Sequence, residues 1–185
     1  PYASWTITIS RDARRLAFMT AGAAGYRFYT MPLGPAGELG APALLHETKK
    51  LTRGMLLSAD GQLAAVGSSE RSGRPEFSLL AFDLASGERI GELWDGDDTS
   101  VEAWGFAPLP GDARLLASSN RSGVNRPLIW DARSGERFDL QLGEIAGEVY
   151  AQDWSPDGAR ILLAQLHNAV HQLYLYELAS HTLTR

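Results

Sequence analysis

The chain contains no cysteine, and this absence removes several kinds of chemistry at once. Disulfides, a thiol nucleophile and cysteine-ligated zinc all require a residue that the 185-residue sequence does not have. The lack of cysteine agrees with a reducing cytoplasm, although many periplasmic proteins share it. The sequence begins at Pro1 and leaves the natural start and any signal peptide open.

Long apolar runs and an excess of positive charge are also missing. Apolar stretches such as Ile161 to Ala164 are far shorter than the roughly 18 residues of a membrane helix. The 17 basic residues are outnumbered by 22 acidic ones, whereas nucleic-acid binding needs a basic face. We therefore expect neither a membrane nor a nucleic acid as a partner. The balance of 44% hydrophobic and 21% charged residues is typical of a globular domain.

An internal repeat is the main feature that the sequence does have. A turn of the Ser-x-Asp-Gly type, or a degenerate form of it, precedes an apolar run four times, and the first apolar residue of each run is Leu16, Leu63, Leu115 or Ile161. The steps between these residues are 47, 52 and 46, within the range of propeller blades. A second turn motif follows Phe82, Trp130 and Tyr176 in phase with the first, and the first unit has a degenerate version at 30–38.

Short runs rich in Leu, Ile, Phe, Tyr and Trp lie between these turns, which is the pattern of β-strands. No segment combines a helical period with helix caps. Apolar residues on consecutive positions, as in Phe77–Phe82, predict sheets that are covered on both faces. The sequence therefore predicts an all-β fold, a β-propeller with four blades of four antiparallel strands. The blades are expected at about 1–50, 51–100, 101–147 and 148–185, as part of a larger seven- or eight-bladed ring.

The two end units are expected to carry apolar faces that something else must cover. Repeat arrays need capping or closure to stay soluble. The residues that predict these faces are Trp5, Ile7, Ile9, Leu16 and Phe18 in the first unit, and Trp154, Ile161, Leu163, Leu173 and Leu175 in the fourth.

No residue pattern predicts a catalytic centre, a metal site or a cofactor. A Gly-x-Ser-x-Gly motif is missing. The i, i+4 spacing of His167 and His171 converges two imidazoles only on a helix, whereas these residues flank a predicted turn between strands. The acidic segment 95–98 lacks the spaced ligands of a calcium loop and is interpreted as a solvated turn.

Two similar loops carry four arginines, which are the candidate site residues. One loop contains Arg71 and Arg74, and the other contains Arg121 and Arg126. Both loops join the second and third predicted strands of their units, so they belong to one rim of the ring. One interpretation is an ordinary polar turn with solvated arginines. The other is a docking surface for an acidic partner or a substrate carboxylate.

The fourth unit carries the family resemblance. Asp153-Trp-Ser-Pro-Asp-Gly-Ala-Arg-Ile161 and the later Gln172–Leu178 resemble the N-terminal propeller of the prolyl oligopeptidase family of serine peptidases, including acylaminoacyl peptidases. The same residues also resemble the TolB-like propeller of bacterial periplasmic proteins. The peptidase is favoured because Tyr150-x-x-x-Trp154-Ser-Pro-Asp-Gly158 and the loose repeat length are similar to peptidase propellers.

The peptidase resemblance implies a non-catalytic, cytoplasmic propeller that admits short peptides to an α/β-hydrolase domain. The Ser-Asp-His triad would lie in that domain, outside this chain. The implied partners are the hydrolase domain, further blades and short peptides, with a homo-oligomer also open. The TolB-like alternative implies a periplasmic scaffold that binds proteins through its rim. A lone propeller with a small-ligand site in its channel is a third hypothesis.

Overall fold

The computed structural model describes residues 7–185, and all regular secondary structure in this range is β-strand. The strands form four sheets, each of four strands, which we call the first to fourth blades. The first blade contains β1 (Ile7–Ile9), β2 (Arg15–Gly22), β3 (Gly25–Pro32) and β4 (Ala43–Thr48). The second contains β5 (Thr52–Leu57), β6 (Leu63–Ser68), β7 (Ser78–Asp83) and β8 (Arg89–Leu93). The third contains β9 (Val101–Phe106), β10 (Arg114–Ser119), β11 (Arg126–Asp131) and β12 (Arg137–Asp139). The fourth contains β13 (Glu148–Trp154), β14 (Arg160–His167), β15 (Val170–Glu177) and β16 (Thr182–Thr184).

The repeated Ser-x-Asp-Gly motif forms the turn between the first and second strands. In the second blade, the Ser58 hydroxyl accepts a hydrogen bond from the backbone N–H of Leu63 at 2.9 Å, and Asp60 accepts one from Gln62 at 3.1 Å. Gly61 follows with a φ of 63°, which glycine adopts without steric cost. These local bonds explain why the motif ends one strand and starts the next.

Every sheet is antiparallel and follows chain order, so neighbouring strands are also consecutive in sequence. The first strands contact one another from blade to blade: β1 meets β5, β5 meets β9, and β9 meets β13. They therefore lie at the inner side of a curved array. The all-β propeller architecture predicted from the repeats is confirmed by these four sheets.

The core lies between consecutive blades rather than inside any one sheet. One apolar cluster joins the first and second blades around Phe28 and Val66, and another joins the second and third around Leu79 and Trp130. A third joins the third and fourth blades around Leu163. The second and third blades are consequently buried on both faces, which explains why their strands are apolar on consecutive positions.

The outer faces of the end blades are open. Ile7 and Ile9 are 56% and 54% exposed, while Leu173 and Leu175 are 60% and 46% exposed. Among the described residues, the three apolar clusters join only consecutive blades, and none of them joins the first blade to the fourth. Leu16 and Phe18 are half-buried, and Trp5 lies outside the described residues.

Three residues expected on the open face of the fourth blade lie on its other face. Trp154, Ile161 and Leu163 are buried against the third blade, so this part of the prediction was wrong. Side chains alternate along a strand, and the run Ile161-Leu-Leu163 sends its first and third residues to one face and Leu162 to the other. When every residue of a run is apolar, the sequence does not show which face of the strand packs against which neighbouring blade.

Candidate functional site

The antiparallel topology divides the connections between two rims. The loop rim carries the second-to-third-strand loops, such as 69–77 and 120–125, together with the connectors between blades, such as 94–100 and 140–147. The turn rim carries the Ser-x-Asp-Gly turns and the third-to-fourth-strand turns. Arg71, Arg74 and Arg121 lie in loops of the loop rim, and Arg126 is the first residue of β11 beside it.

Arg71 and Arg74 lie on the second blade's part of the loop rim, and both have partners within the chain. Arg71 is 3.5 Å from Glu92, and its guanidinium carbon is 5.7 Å from the centre of the Trp94 ring. Arg74 is 2.9 Å from Asp98 in the connector to the third blade. About half of each arginine side chain remains exposed (55% and 53%), so their guanidinium groups are accessible from solvent.

Arg121 belongs to a charged network on the third blade. It pairs with Asp139, which also accepts hydrogen bonds from Arg137 at 3.0 and 2.8 Å. Arg137 also pairs with Asp95, whose carboxylate accepts the hydroxyl of Ser119. The Asp95 side chain is 4% exposed, so its interpretation as part of a solvated turn was wrong. Asp95 fixes the connector between blades to the outermost strand of the third blade.

Arg126 binds backbone rather than presenting its charge at the rim. Its guanidinium donates to the carbonyl oxygens of Asn125 at 3.1 Å, Ile145 at 3.2 Å and Gly147. These contacts tie the start of β11 to the connector that leads into the fourth blade. The geometry makes Arg126 a positioning residue for that connector. A docking role for the four arginines stays a prediction.

The pockets formed by residues 7–185 include two that open on the loop rim. One of about 290 Å³ is bordered by Arg121, Arg126 and Arg137. The other, of about 500 Å³, is bordered by Glu144, His167, Gln172 and the buried Gln165. Gln165 donates to the carbonyl of Ala146 at 2.7 Å and accepts the Tyr174 hydroxyl at 3.0 Å, so its amide is already satisfied within the chain.

Lowered carboxyl pKa values occur on the turn rim instead. The backbone N–H of Ser86, helped by that of Ala85 and by the charge of Arg133, holds the pKa of Asp83 below its usual range. The Ser155 hydroxyl does the same for the pKa of Asp157. Burial works against the ionised form of Asp60, but hydrogen bonds from Ser58, Gly111 and Gln62 outweigh it and lower that pKa. Each shift follows from a turn that accepts backbone or hydroxyl donors, which is a structural role.

The described residues offer no assembled catalytic pair. His46 bonds to Glu70 at 2.9 Å, His167 lies 3.2 Å from Asn168, and His181 lies 3.2 Å from the Tyr176 hydroxyl. Between residues 7 and 185, no group of three or more His, Asp or Glu side chains is placed to hold a metal ion. Over the same range, no helix has the length and apolar character needed to cross a membrane.

Sequence reasoning missed the network that involves Asp95, Arg137 and Asp139. Arg137 and Asp139 are two residues apart on a strand, so their side chains share a face, and this part of the network was readable from the sequence. The pairing of Arg137 with Asp95 was not, because 42 residues and a blade boundary separate them.

The four meander sheets, packed face to face with their first strands on the inner side, define a class: the chain is a run of β-propeller blades. No protein-family model and no curated protein matches it. Solved structures do. A puromycin-hydrolysing peptidase of Mycobacterium tuberculosis superposes with a TM-score of 0.71 and 13% identity, covering 100% of this chain and 28% of that one. TolB from Acinetobacter baumannii gives 0.67 and 17%, covering 97% and 42%.

The β-propeller domain of the Trilobed protease from Pyrococcus furiosus is also similar, with a TM-score of 0.64 and 18% identity over 94% of this chain and 54% of that one. Acylaminoacyl peptidases are among the other matches. At these identities the likeness establishes the fold, and it agrees with both propeller types that the sequence resembles. The chain spans well under two thirds of the length of each of these similar structures, with shares between 27 and 60%.

Proposed function

We propose that the chain is the non-catalytic, substrate-gating part of a cytoplasmic serine peptidase that hydrolyses short peptides. In this proposal, the units at about 1–50, 51–100, 101–147 and 148–185 are four blades of a seven- or eight-bladed ring, which lies over an α/β-hydrolase domain. The observation that carries the proposal is the open four-blade array. Its outer faces are apolar and exposed, and its similar structures include propellers of larger peptidases.

The physical basis of gating is the inner side of the array. The first strands line it, and a ring of such strands encloses a channel that is narrow compared with a folded protein. In this chain the inner side is bridged between blades, because Arg53 in β5 pairs with Glu102 in β9. The Arg53 guanidinium carbon also lies 4.5 Å from the centre of the Phe77 ring. The Phe77 contact holds the Arg53 side chain within the second blade, while the ion pair with Glu102 joins that blade to the third. This link between blades favours a ring that stays closed and selects substrates by size.

The test uses the complete polypeptide and a serine-reactive fluorophosphonate probe. We expect the complete polypeptide to be labelled, to cleave short peptides, and to leave the same sequence uncut when it is embedded in a folded protein. The 185-residue chain alone should be neither labelled nor active, since the described residues provide no nucleophile and base in contact. A complete polypeptide without a reactive serine would contradict the proposal.

The second candidate function is a TolB-like scaffold that binds proteins through its rim. The TolB match covers 97% of this chain, and the exposed Arg71 and Arg74 offer a surface for an acidic partner. Each exposed ion pair would contribute about 0 to 1 kcal/mol. A complete polypeptide that resists the probe and carries a signal peptide would favour this function, with a periplasmic location.

A further inference from the structure

The internal repeat permits a comparison between a covered blade face and an open one. Superposing the turns Ser58-x-Asp60-Gly61 and Ser155-x-Asp157-Gly158 aligns the second blade with the fourth. The β-sheet pairs agree with this alignment, because Ala64 pairs with Phe82 as Ile161 pairs with Tyr176. Positions in the two blades are thus equivalent.

Three equivalent positions form the face that meets the following blade. In the second blade they are Ala65, Leu79 and Ala81, all buried in the cluster shared with the third blade. In the third blade they are Leu116, Pro127 and Ile129, all buried, and Leu116 and Ile129 lie in the cluster shared with the fourth. In the fourth blade they are Leu162, Leu173 and Leu175. Leu173 is 60% exposed where its equivalent Leu79 is 1% exposed.

Two carboxylates complete the covered face of the second blade. Asp60 Oδ2 accepts the backbone N–H of Gly111 in the third blade at 2.8 Å, and Asp83 is 3.3 Å from Arg133 of the same blade. The equivalents in the fourth blade are Asp157 and Glu177. Asp157 uses Oδ1 for its own turn, where it binds Ser155 and Ala159. Between residues 7 and 185, neither Asp157 Oδ2 nor the Glu177 carboxylate accepts a hydrogen bond or forms a close ion pair, although the charge of Arg160 acts on Asp157.

We infer that the fourth-blade face, made of Leu162, Leu173 and Leu175 with Asp157 and Glu177 at its turn-rim edge, binds a further blade of the same polypeptide. This inference rests on the proposed function, which requires further blades. The partner's first turn donates a backbone N–H to Asp157, and its third-to-fourth-strand turn places an arginine or lysine beside Glu177. Its own strands cover the three leucines.

Single cysteines test the coverage, because the chain has no native thiol. Leu175→Cys probes the face. Val170→Cys is the matched control. Val170 lies in the same strand and is 54% exposed, but its side chain is on the opposite face of the sheet. Maleimide labelling at each site, followed by peptide mass spectrometry, should be similar in the 185-residue chain. In the complete polypeptide, labelling of Leu175→Cys should slow at least about tenfold, as expected for a buried site, while Val170→Cys should not change.

Equal labelling at the two sites in the complete polypeptide would overturn the inference. Protection of Leu175→Cys in the 185-residue chain that grows with protein concentration would identify a second copy as the occupant and would also overturn it. Cysteine labelling does not depend on peptide cleavage, so it tests the blade contact independently of the peptidase proposal. The serine-reactive probe tests that proposal.

The carboxylate contact has its own test. The Glu177→Arg substitution is combined with Leu175→Cys in the complete polypeptide. It replaces a negatively charged acceptor with a positive charge, which repels the arginine or lysine expected on the partner blade. Labelling of the cysteine should then accelerate roughly 2- to 10-fold, the range expected for one lost interaction of this kind. Glu136→Arg is the control, because Glu136 is an exposed carboxylate in the corresponding turn region of the third blade. Equal acceleration by both variants would remove Glu177 from the contact.

Discussion

At the scale of single residues, the turn aspartates link local geometry to blade packing. Asp83 accepts the backbone N–H groups of Ala85 and Ser86 at 3.0 Å each, which closes its own turn. Its other oxygen lies 3.3 Å from Arg133 of the next blade. One carboxylate therefore stabilises a turn and a blade interface together. His181 takes the place in the fourth blade's turn that Gly87 and Gly135 take in the second and third, and it has a φ of 53°. The centre of its ring lies 5.2 Å from that of Phe138.

Asp83→Ala should lower the stability of the chain in a pH-dependent way. The folded-state pKa of Asp83 lies below its ordinary value of 3.8, because Ser86 and Ala85 donate to the ionised carboxylate. Its stabilisation is therefore fully present above about pH 4 and is lost as the pH falls through the lower folded-state value. We expect a loss of roughly 1 to 3 kcal/mol at pH 7 that shrinks towards zero in strong acid.

Denaturant unfolding of wild type and variant between pH 2.5 and pH 7 measures this difference. Asp97→Ala is the control, because Asp97 is an exposed carboxylate in a connector, and it should change stability little at any pH. A difference for Asp83→Ala that persisted unchanged at the acid end would show that the charge of Asp83 is not the cause.

At the scale of strands and hairpins, the turns determine where each element begins and ends. The hairpin of β14 and β15 closes through Asn168 and Ala169, whose φ values are 50° and 60°. Two consecutive residues with positive φ form the hairpin turn that matches the twist of the flanking strands. Alanine is a poor residue for this conformation because its Cβ approaches the backbone. The positive φ of Ala169 therefore lowers the stability of the hairpin.

Ala169→Gly should stabilise this hairpin by roughly 0.5 to 1 kcal/mol, because Asn-Gly is favoured in such turns and glycine accepts positive φ. Thermal unfolding of the chain measures the effect. Ala164→Gly, in the middle of β14, is the control and should destabilise, since glycine weakens a strand interior. A loss of stability from Ala169→Gly would show that the greater freedom of glycine in the unfolded chain outweighs the relief in the turn.

Much of the element-level structure could be predicted from the sequence. The turn motifs are local, so the four units and the four consecutive strands of each followed from residues that are close along the chain. The buried side chains were harder to predict, because burial depends on which face of a strand packs against a neighbouring blade. Ile161 and Leu163 were placed on the open face for that reason. The loop-rim network was hidden for a related reason, since Asp95 and Arg137 meet only after blades have packed.

At the scale of the whole molecule, stability is shared between neighbouring blades. Each apolar cluster belongs to two sheets, so a blade is held in place by what lies on both of its faces. The second and third blades have neighbours on both sides, whereas the first and fourth each have one within the described residues. In such arrays the free energy of unfolding is approximately a sum of unit and interface contributions. The same substitution at equivalent positions of different blades should therefore change the free energy of unfolding by different amounts.

Leu79 and Leu173 test this expectation, because they occupy equivalent positions in the second and fourth blades. Leu79 is buried under the third blade and Leu173 is 60% exposed. In the 185-residue chain, Leu79→Ala should cost about 2 to 5 kcal/mol, since it leaves a cavity between two sheets. Leu173→Ala should cost less than about 0.5 kcal/mol, as expected for a surface position. Chemical denaturation of both variants gives the comparison, with the same substitution in each. Similar costs would mean that the fourth blade is already covered in the isolated chain, whereas a cost for Leu173→Ala that rises in the complete polypeptide would measure the energy that a further blade contributes.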